Sequence, residues 1–139
     1  MNEWIIPASI VLAVITSSVV KEIIHFSKNN TFSWYTLLLE TGGMPSTHSA
    51  AVSALTTSIY YTQGLSALFW ASLVFAAIIV RDAFGVRKSV SDQAQIINTL
   101  LSQTTIEKKV HIILGHTPLQ ATIGVLVGIS SATLIWVLF

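Results

Sequence analysis

Apolar positions arrive along this chain in four blocks separated by short polar stretches. Ile5 to Val20 carries no charge and ends at Lys21-Glu22, with Ile23 to Phe26 able to prolong it. A helix needs roughly 20 residues to cross a bilayer, so the pattern predicts a first span over about residues 5–24. Pro7 falls in its first turn, where a missing N–H costs little. The second block, 45–63, is made of small residues: Ala50, Ala51, Ser53, Ala54, Thr56, Thr57, Ser58. Such residues let helices approach closely, which places this helix inside a bundle. Gly64 is its expected C-cap. The third block, 65–80, follows at once, so spans two and three form an antiparallel hairpin. The fourth, 118–138, is uncharged and opens on Thr117-Pro118-Leu119-Gln120. Thr at the N-cap, Pro at N1 and Gln at N3 make a capping box.

The segments between are too short or too polar to cross. Ser27 to Thr31 has turn chemistry. Phe32 to Leu39 suits a short interfacial or re-entrant helix, with Trp34 and Tyr35 at the interface. Over Ser89 to Gln103, Ile96, Ile97, Leu100 and Leu101 stand against Asp92, Gln93, Gln95 and Asn98, the spacing of an amphipathic helix on the membrane surface. Thr105 to Leu114 is also non-spanning. The expected fold class is therefore all-α: an integral membrane helical bundle of about four transmembrane helices plus short interfacial helices, forming a single domain over residues 1–139.

Composition agrees. Hydrophobic residues make up 53% and charged residues 9%, with a mean hydropathy of +0.72. A soluble chain carries about 25% charged residues, so this one lacks the polar surface to face water all round. With no cysteine, disulfide, thiolate and Cys-based metal chemistry are excluded. The start of the chain has no basic n-region, so the first apolar block reads as a retained span. If the four spans alternate in direction, Lys21, Lys28, Arg81, Arg87, Lys88, Lys108 and Lys109 all fall on one side. The positive-inside rule makes that side cytoplasmic, with both termini outside. The net charge of +1 is itself uninformative, and no nucleic-acid partner is expected.

Candidate chemistry gathers on the same side, around Gly42-Gly43-Met44-Pro45-Ser46-Thr47-His48-Ser49-Ala50. The glycines permit a tight or left-handed path, and Pro45 reads as the first residue of span two. Unpaired N–H groups and the positive end of a helix dipole make such a start an anion site. A capped turn with a solvent-facing histidine is the simpler alternative. Arg81, Asp82 and Arg87 close span three on that side, and His116 precedes span four there. Arginine binds phosphate bidentately and lysine as a point charge. Two histidines can supply a nucleophile and a general acid on either side of a phosphoryl group. Zinc held by both histidines and Asp82 is the weaker option: the surroundings are basic, and no H-x-x-x-H or H-E-x-x-H spacing is present.

Gly42 to Ala50, Asp82 to Lys88, Gln93-Ala94 and Leu114 to Pro118 together resemble the divergent membrane branch of the phosphatidic-acid phosphatase type 2 and vanadium haloperoxidase superfamily. The resemblance runs from about Lys21 to Gly128. It implies a helical bundle and metal-independent hydrolysis of a lipid or polyprenyl phosphate monoester, or diphosphate, through a phosphohistidine, with no cofactor. The superfamily's P-S-G-H motif is similar to Pro45-Ser46-Thr47-His48. By this resemblance His116 is the nucleophile and His48 protonates the leaving group. Lys21, Ser46, Thr47, Arg81 and Arg87 hold the phosphate, and Asp82, Gln120 and Gly43 support. It further implies an integral protein of a bacterial cell membrane, acting on a membrane lipid phosphate, and the placement of the basic residues turns the expected site to the cytoplasm.

The chain departs from the pattern at four places. Thr47 stands where the motif has glycine, Val110 where the last motif has arginine, Gln120 where it has an acid, and Asn29 where the first has proline. These departures motivate an alternative, a catalytically inactive binder of lipid-phosphate headgroups. A small transporter is disfavoured because no ionisable residue sits mid-span. Gln120 is equally explained as the N3 member of a capping box, and Asp82 as an ion-pair partner of Arg81 or Arg87. A homodimer through Gly124 and Gly128, or through the small-residue face of span two, is a further expectation.

Overall fold

The computed structural model describes residues 4–32, 34, 43–104, 110 and 115–139. Its elements are α1 (Ile5–Asn29), α2 (Thr47–Gln63), α3 (Ala67–Phe84), α4 (Val86–Leu101) and α5 (Pro118–Leu138). The expected helix over 32–39 and the segment 105–114, read as non-spanning, fall almost wholly outside the described residues.

Among the described residues, three stretches are long and apolar enough to cross a membrane: α1, α3 running into α4, and α5. The fourth expected span, α2, falls short because Pro45 and Ser46 lie outside it, leaving 17 residues rich in hydroxyls. At 1.5 Å per residue that is about 26 Å, against a hydrocarbon core of about 30 Å. It is the central helix, buried on several faces by α1, α3 and α5.

The bundle is held by small residues inside and large ones outside. The buried face of α1 is an i, i+4 stripe, Ile5, Ser9, Ala13, Ser17 and Lys21, joined at its end by Glu22. Val11, Ile15, Val19 and Ile23 form its exposed face. The hydroxyls inside satisfy themselves: Ser9 donates to Ile5 O (2.7 Å), Ser17 to Ala13 O (2.6 Å) and Ser58 to Ala54 O (2.7 Å). Ala13, Ala50, Ala54 and Ala132 meet at the centre. Dispersion between closely spaced backbones, not expulsion of water, holds helices together in lipid.

Gly124 and Gly128 set the closest of these approaches. A Cβ on Gly124 would overlap Ser46 O, and one on Gly128 would overlap Ala50 O. The G-x-x-x-G pair is thus used within the chain, by α5 against α2, and so is most of the small-residue face of α2. The glycine pair expected to form a dimer is thus covered by α2 of the same chain.

α1 and α3 run opposite to α2 and α5. The end away from the basic residues is aromatic: Tyr61 stacks on Trp136 (5.4 Å between centroids), Trp4 meets Phe139 edge-on (5.0 Å) and Tyr60 packs on Phe69 (5.6 Å). Such rings suit a membrane–water interface. At the other end lie Lys21, the start of α2, the close of α3 and the start of α5.

Candidate functional site

Two local sequence features build this end. Thr117 caps α5 by accepting from Gln120 N–H (3.3 Å), while Gln120 Oε1 accepts from Thr117 N–H (2.9 Å), with Pro118 at the first helical position. This is the expected capping box, with Gln120 as its N3 member, and the Gln120 side chain also hydrogen-bonds His116. At α2 the cap differs from expectation. Pro45 follows a cis bond from Met44 and precedes the helix, so Ser46 is the N-cap, its Oγ accepting from Ser49 N–H (3.4 Å) and Ser49 Oγ (3.0 Å). The two helix starts are tied together where Ser46 N–H donates to Gln120 O (3.1 Å).

His116 sits just before α5 and is 2% exposed. Its backbone N–H donates to Ala83 O in the last turn of α3 (3.0 Å), and its Nδ1 donates to Gly43 O (3.0 Å). Gly43 has φ +84°, where a side chain is strained, and the Lys21 stem lies against the place a Cβ would occupy. Lys21, 5% exposed, donates from Nζ to Thr47 Oγ1 (3.4 Å). Lys21 therefore bridges the turn before α2 and the first turn of α2.

His48 lies one residue beyond Thr47, exposed, within electrostatic reach of Arg87, Lys21 and Asp82. Arg87 Nε donates to Asp82 Oδ2 (2.7 Å), so Asp82 pairs with Arg87 rather than Arg81. Burial, then the Lys21 and His48 charges, hold the His116 imidazole below its ordinary value of 6.5, while hydrogen bonding to Gln120 and Gly43 works the other way.

The structure thus brings together His116, His48, Lys21, Thr47, Arg87, Asp82, Gln120 and Gly43 at one end of the bundle. Two expected phosphate ligands are placed differently. The Ser46 hydroxyl is fully buried in the cap of α2. Arg81 reaches over the Phe84 ring (5.2 Å) into a groove between α3 and α4.

The sequence reading missed two supports. Gly115 is packed on the backbone of Arg87 and Lys88, where a Cβ would overlap Lys88 Cα. Ala83 supplies the carbonyl under His116. The i, i+4 stripe ending in Lys21 was the available signal for a buried lysine, because a small-residue face that runs to a charge carries that charge into the bundle.

The arrangement fits phosphoryl chemistry. A carbonyl oxygen only accepts, so Nδ1 of His116 carries a proton and the neutral ring keeps its lone pair on Nε2. The Lys21 and His48 charges act on this ring.

The comparisons with known proteins agree with this architecture. The sequence profile of the Divergent PAP2 family matches residues 2–131. The uncharacterized membrane protein YuiD of Bacillus subtilis (strain 168) is 38% identical over 134 residues, covering 84% of each chain. No solved structure matches. With a profile matching nearly its whole length, this helical membrane protein belongs to the Divergent PAP2 family.

Proposed function

We propose that the protein is a membrane phosphatase that hydrolyses a lipid or polyprenyl phosphate through a phosphohistidine on His116. The observation that carries the reading is the His116–Gly43 hydrogen bond, 3.0 Å, which leaves Nε2 as the nucleophilic atom of a neutral ring. In the first step Nε2 attacks phosphorus and the bond from phosphorus to the lipid oxygen breaks, with His48 giving that oxygen a proton. In the second, water attacks the phosphohistidine, His48 takes the proton, and phosphate leaves with His116 restored. Lys21, Arg87 and the Thr47 hydroxyl face the phosphoryl oxygens, where fixed positive groups act most on the charge of the transition state. The basic end faces the cytoplasm of a bacterial cell by the charge asymmetry of the sequence.

A second reading is supported by the same hydrogen bond. Gly43 O is an uncharged acceptor, and Gln120, which also hydrogen-bonds the ring, is uncharged too. A site without a carboxylate on its histidine stabilises an imidazolium less, which suits a binder of phosphate headgroups that does not turn over.

Detergent-purified protein supplied with a panel of lipid phosphate monoesters separates the two. Phosphate release without added metal, and a loss on the order of a thousandfold or more in His116→Ala, supports the phosphatase. Full activity in His116→Ala overturns the assignment of the nucleophile. Binding of phosphate or vanadate with no release from any lipid supports the binder.

A further inference from the structure

Apart from the histidine site, the α3–α4 corner carries a groove of about 980 Å³. One wall is Val74, Ala77, Ile78 and Arg81 of α3, and the other is Val86, Ser89, Val90 and Gln93 of α4. The spacing 74, 78, 81 places these side chains on one stripe of α3. The groove therefore begins apolar, in the part of α3 that is long and apolar enough to lie in a bilayer, and ends at the Arg81 guanidinium, Asp82 and two neutral polar groups. Val74, Ile78, Val86 and Val90 are all well exposed, so no other described helix covers them.

Arg81 is held at this end in a particular way. Its guanidinium lies over the Phe84 ring, and Gly85 leaves the room it occupies: a Cβ there would overlap Arg81 Nη1. Among the described residues no carboxylate pairs with it, because Asp82, which also lines the groove, is taken by Arg87 at 2.7 Å. The groove thus offers an uncompensated cation at the close of an apolar slot.

We infer that this groove binds an anionic phospholipid of the surrounding bilayer, with an acyl chain along Val74, Ile78 and Val90 and its phosphodiester on Arg81. The occupant comes from the bilayer because one wall belongs to a membrane-spanning helix. It is anionic because the polar end is cationic, and basic pockets between membrane helices take anionic headgroups. Long cationic side chains near a helix end reach toward the headgroup layer, so the guanidinium stands at phosphate depth. The site is distinct from the one proposed for catalysis, and a phosphodiester headgroup is not a phosphate monoester.

The test is native mass spectrometry of protein released from vesicles of equal phosphatidylglycerol and phosphatidylcholine. Wild-type protein is expected to retain phosphatidylglycerol preferentially. Arg81→Gln should lower that preference about five- to tenfold, the effect of one basic group near a headgroup. Ala77→Trp, which fills the slot and leaves Arg81 in place, should lower retention of the same adduct and keeps the test available if Arg81→Gln aggregates. His116→Ala should retain phosphatidylglycerol as wild type does, whether or not the protein is a phosphatase. Equal retention of the two lipids by wild type, wild-type preference in both groove variants, or loss of the adduct in His116→Ala would each overturn the inference.

Discussion

His116 Nδ1 donates to the carbonyl of Gly43 across 3.0 Å, joining two turns that lie 73 residues apart in the chain. The bond orients the ring and fixes which nitrogen carries the proton. It uses a backbone oxygen where a carboxylate would add charge, so it supports the imidazolium only weakly, and burial followed by the Lys21 charge keeps the ring neutral.

That preference sets a pH dependence. The imidazole of His116 is held below 6.5 in the folded protein, chiefly by burial and then by Lys21. The unfolded chain binds the proton more readily, so stability from this group is present above pH 6.5 and declines as pH falls through the lower folded value. The same ring must be neutral to attack phosphorus. The acid limb of kcat/KM for phosphate release is expected to have its midpoint below 6.5, and a limb above 6.5 would contradict the geometry.

Gly43→Ala tests the turn itself. The residue sits at φ +84°, where a side chain costs about 1–2 kcal/mol, and the added Cβ would lie 3.4 Å from Lys21 Cγ. Thermal unfolding in detergent should show a loss of about that size. Phosphate release should fall further than stability alone explains, because the carbonyl under His116 and the lysine beside it move together.

Gly128→Ala distinguishes an intrachain contact from a dimer seam. The new Cβ would overlap Ala50 O and come 2.8 Å from Ser53 Cβ, both on α2. Overpacking of this kind costs about 1–3 kcal/mol. A lower melting temperature with no change in oligomeric state is expected by light scattering. A change of state at unaltered stability would place Gly128 between copies instead.

Arg87→Ala should separate function from stability. Both partners of the Asp82–Arg87 pair are more than a third exposed or close to it (39% and 34%), so solvent screening limits its contribution to less than about 1 kcal/mol. Loss of a phosphate-facing guanidinium should nevertheless lower kcat/KM by about tenfold or more. Asp82→Asn, which leaves the guanidinium without its pair, should change turnover less than Arg87→Ala does.

What the sequence made legible was local or periodic. The cap of α5 needs only Thr117, Pro118 and Gln120, residues that interact within one turn, and it stands as read. The apolar blocks located α1, α3 and α5, since composition over about 20 residues outweighs detail at the ends. The exposed apolar positions Val90, Ile97 and Leu100 of α4 lie on the helix read as amphipathic.

Other features depended on contacts between distant segments. Pro45 has the preferred φ of a first helical residue, yet it follows a cis peptide bond, which residue identity does not reveal, and Ser46 caps the helix. The G-x-x-x-G pair signals a close approach without saying to which helix, and the partner is in the same chain. Arg81 and Arg87 look equivalent in sequence, but Gly85 breaks the helix between them, so their directions cannot be carried across by counting at 3.6 residues per turn. The acceptor for His116 could not be found by spacing, because Gly43 offers a backbone oxygen that any residue would carry.

Gly115 gives the end of the bundle a mechanical property. Its bare Cα lies against the backbone of Arg87 and Lys88, while the next N–H is bonded to Ala83 O on the other side of Gly85. The His116 loop therefore clasps the elbow between α3 and α4 from both arms. Flexing that elbow would carry the His116 ring and the Arg87 guanidinium as one piece, so α4 is geared to the histidine whatever surface it rests on.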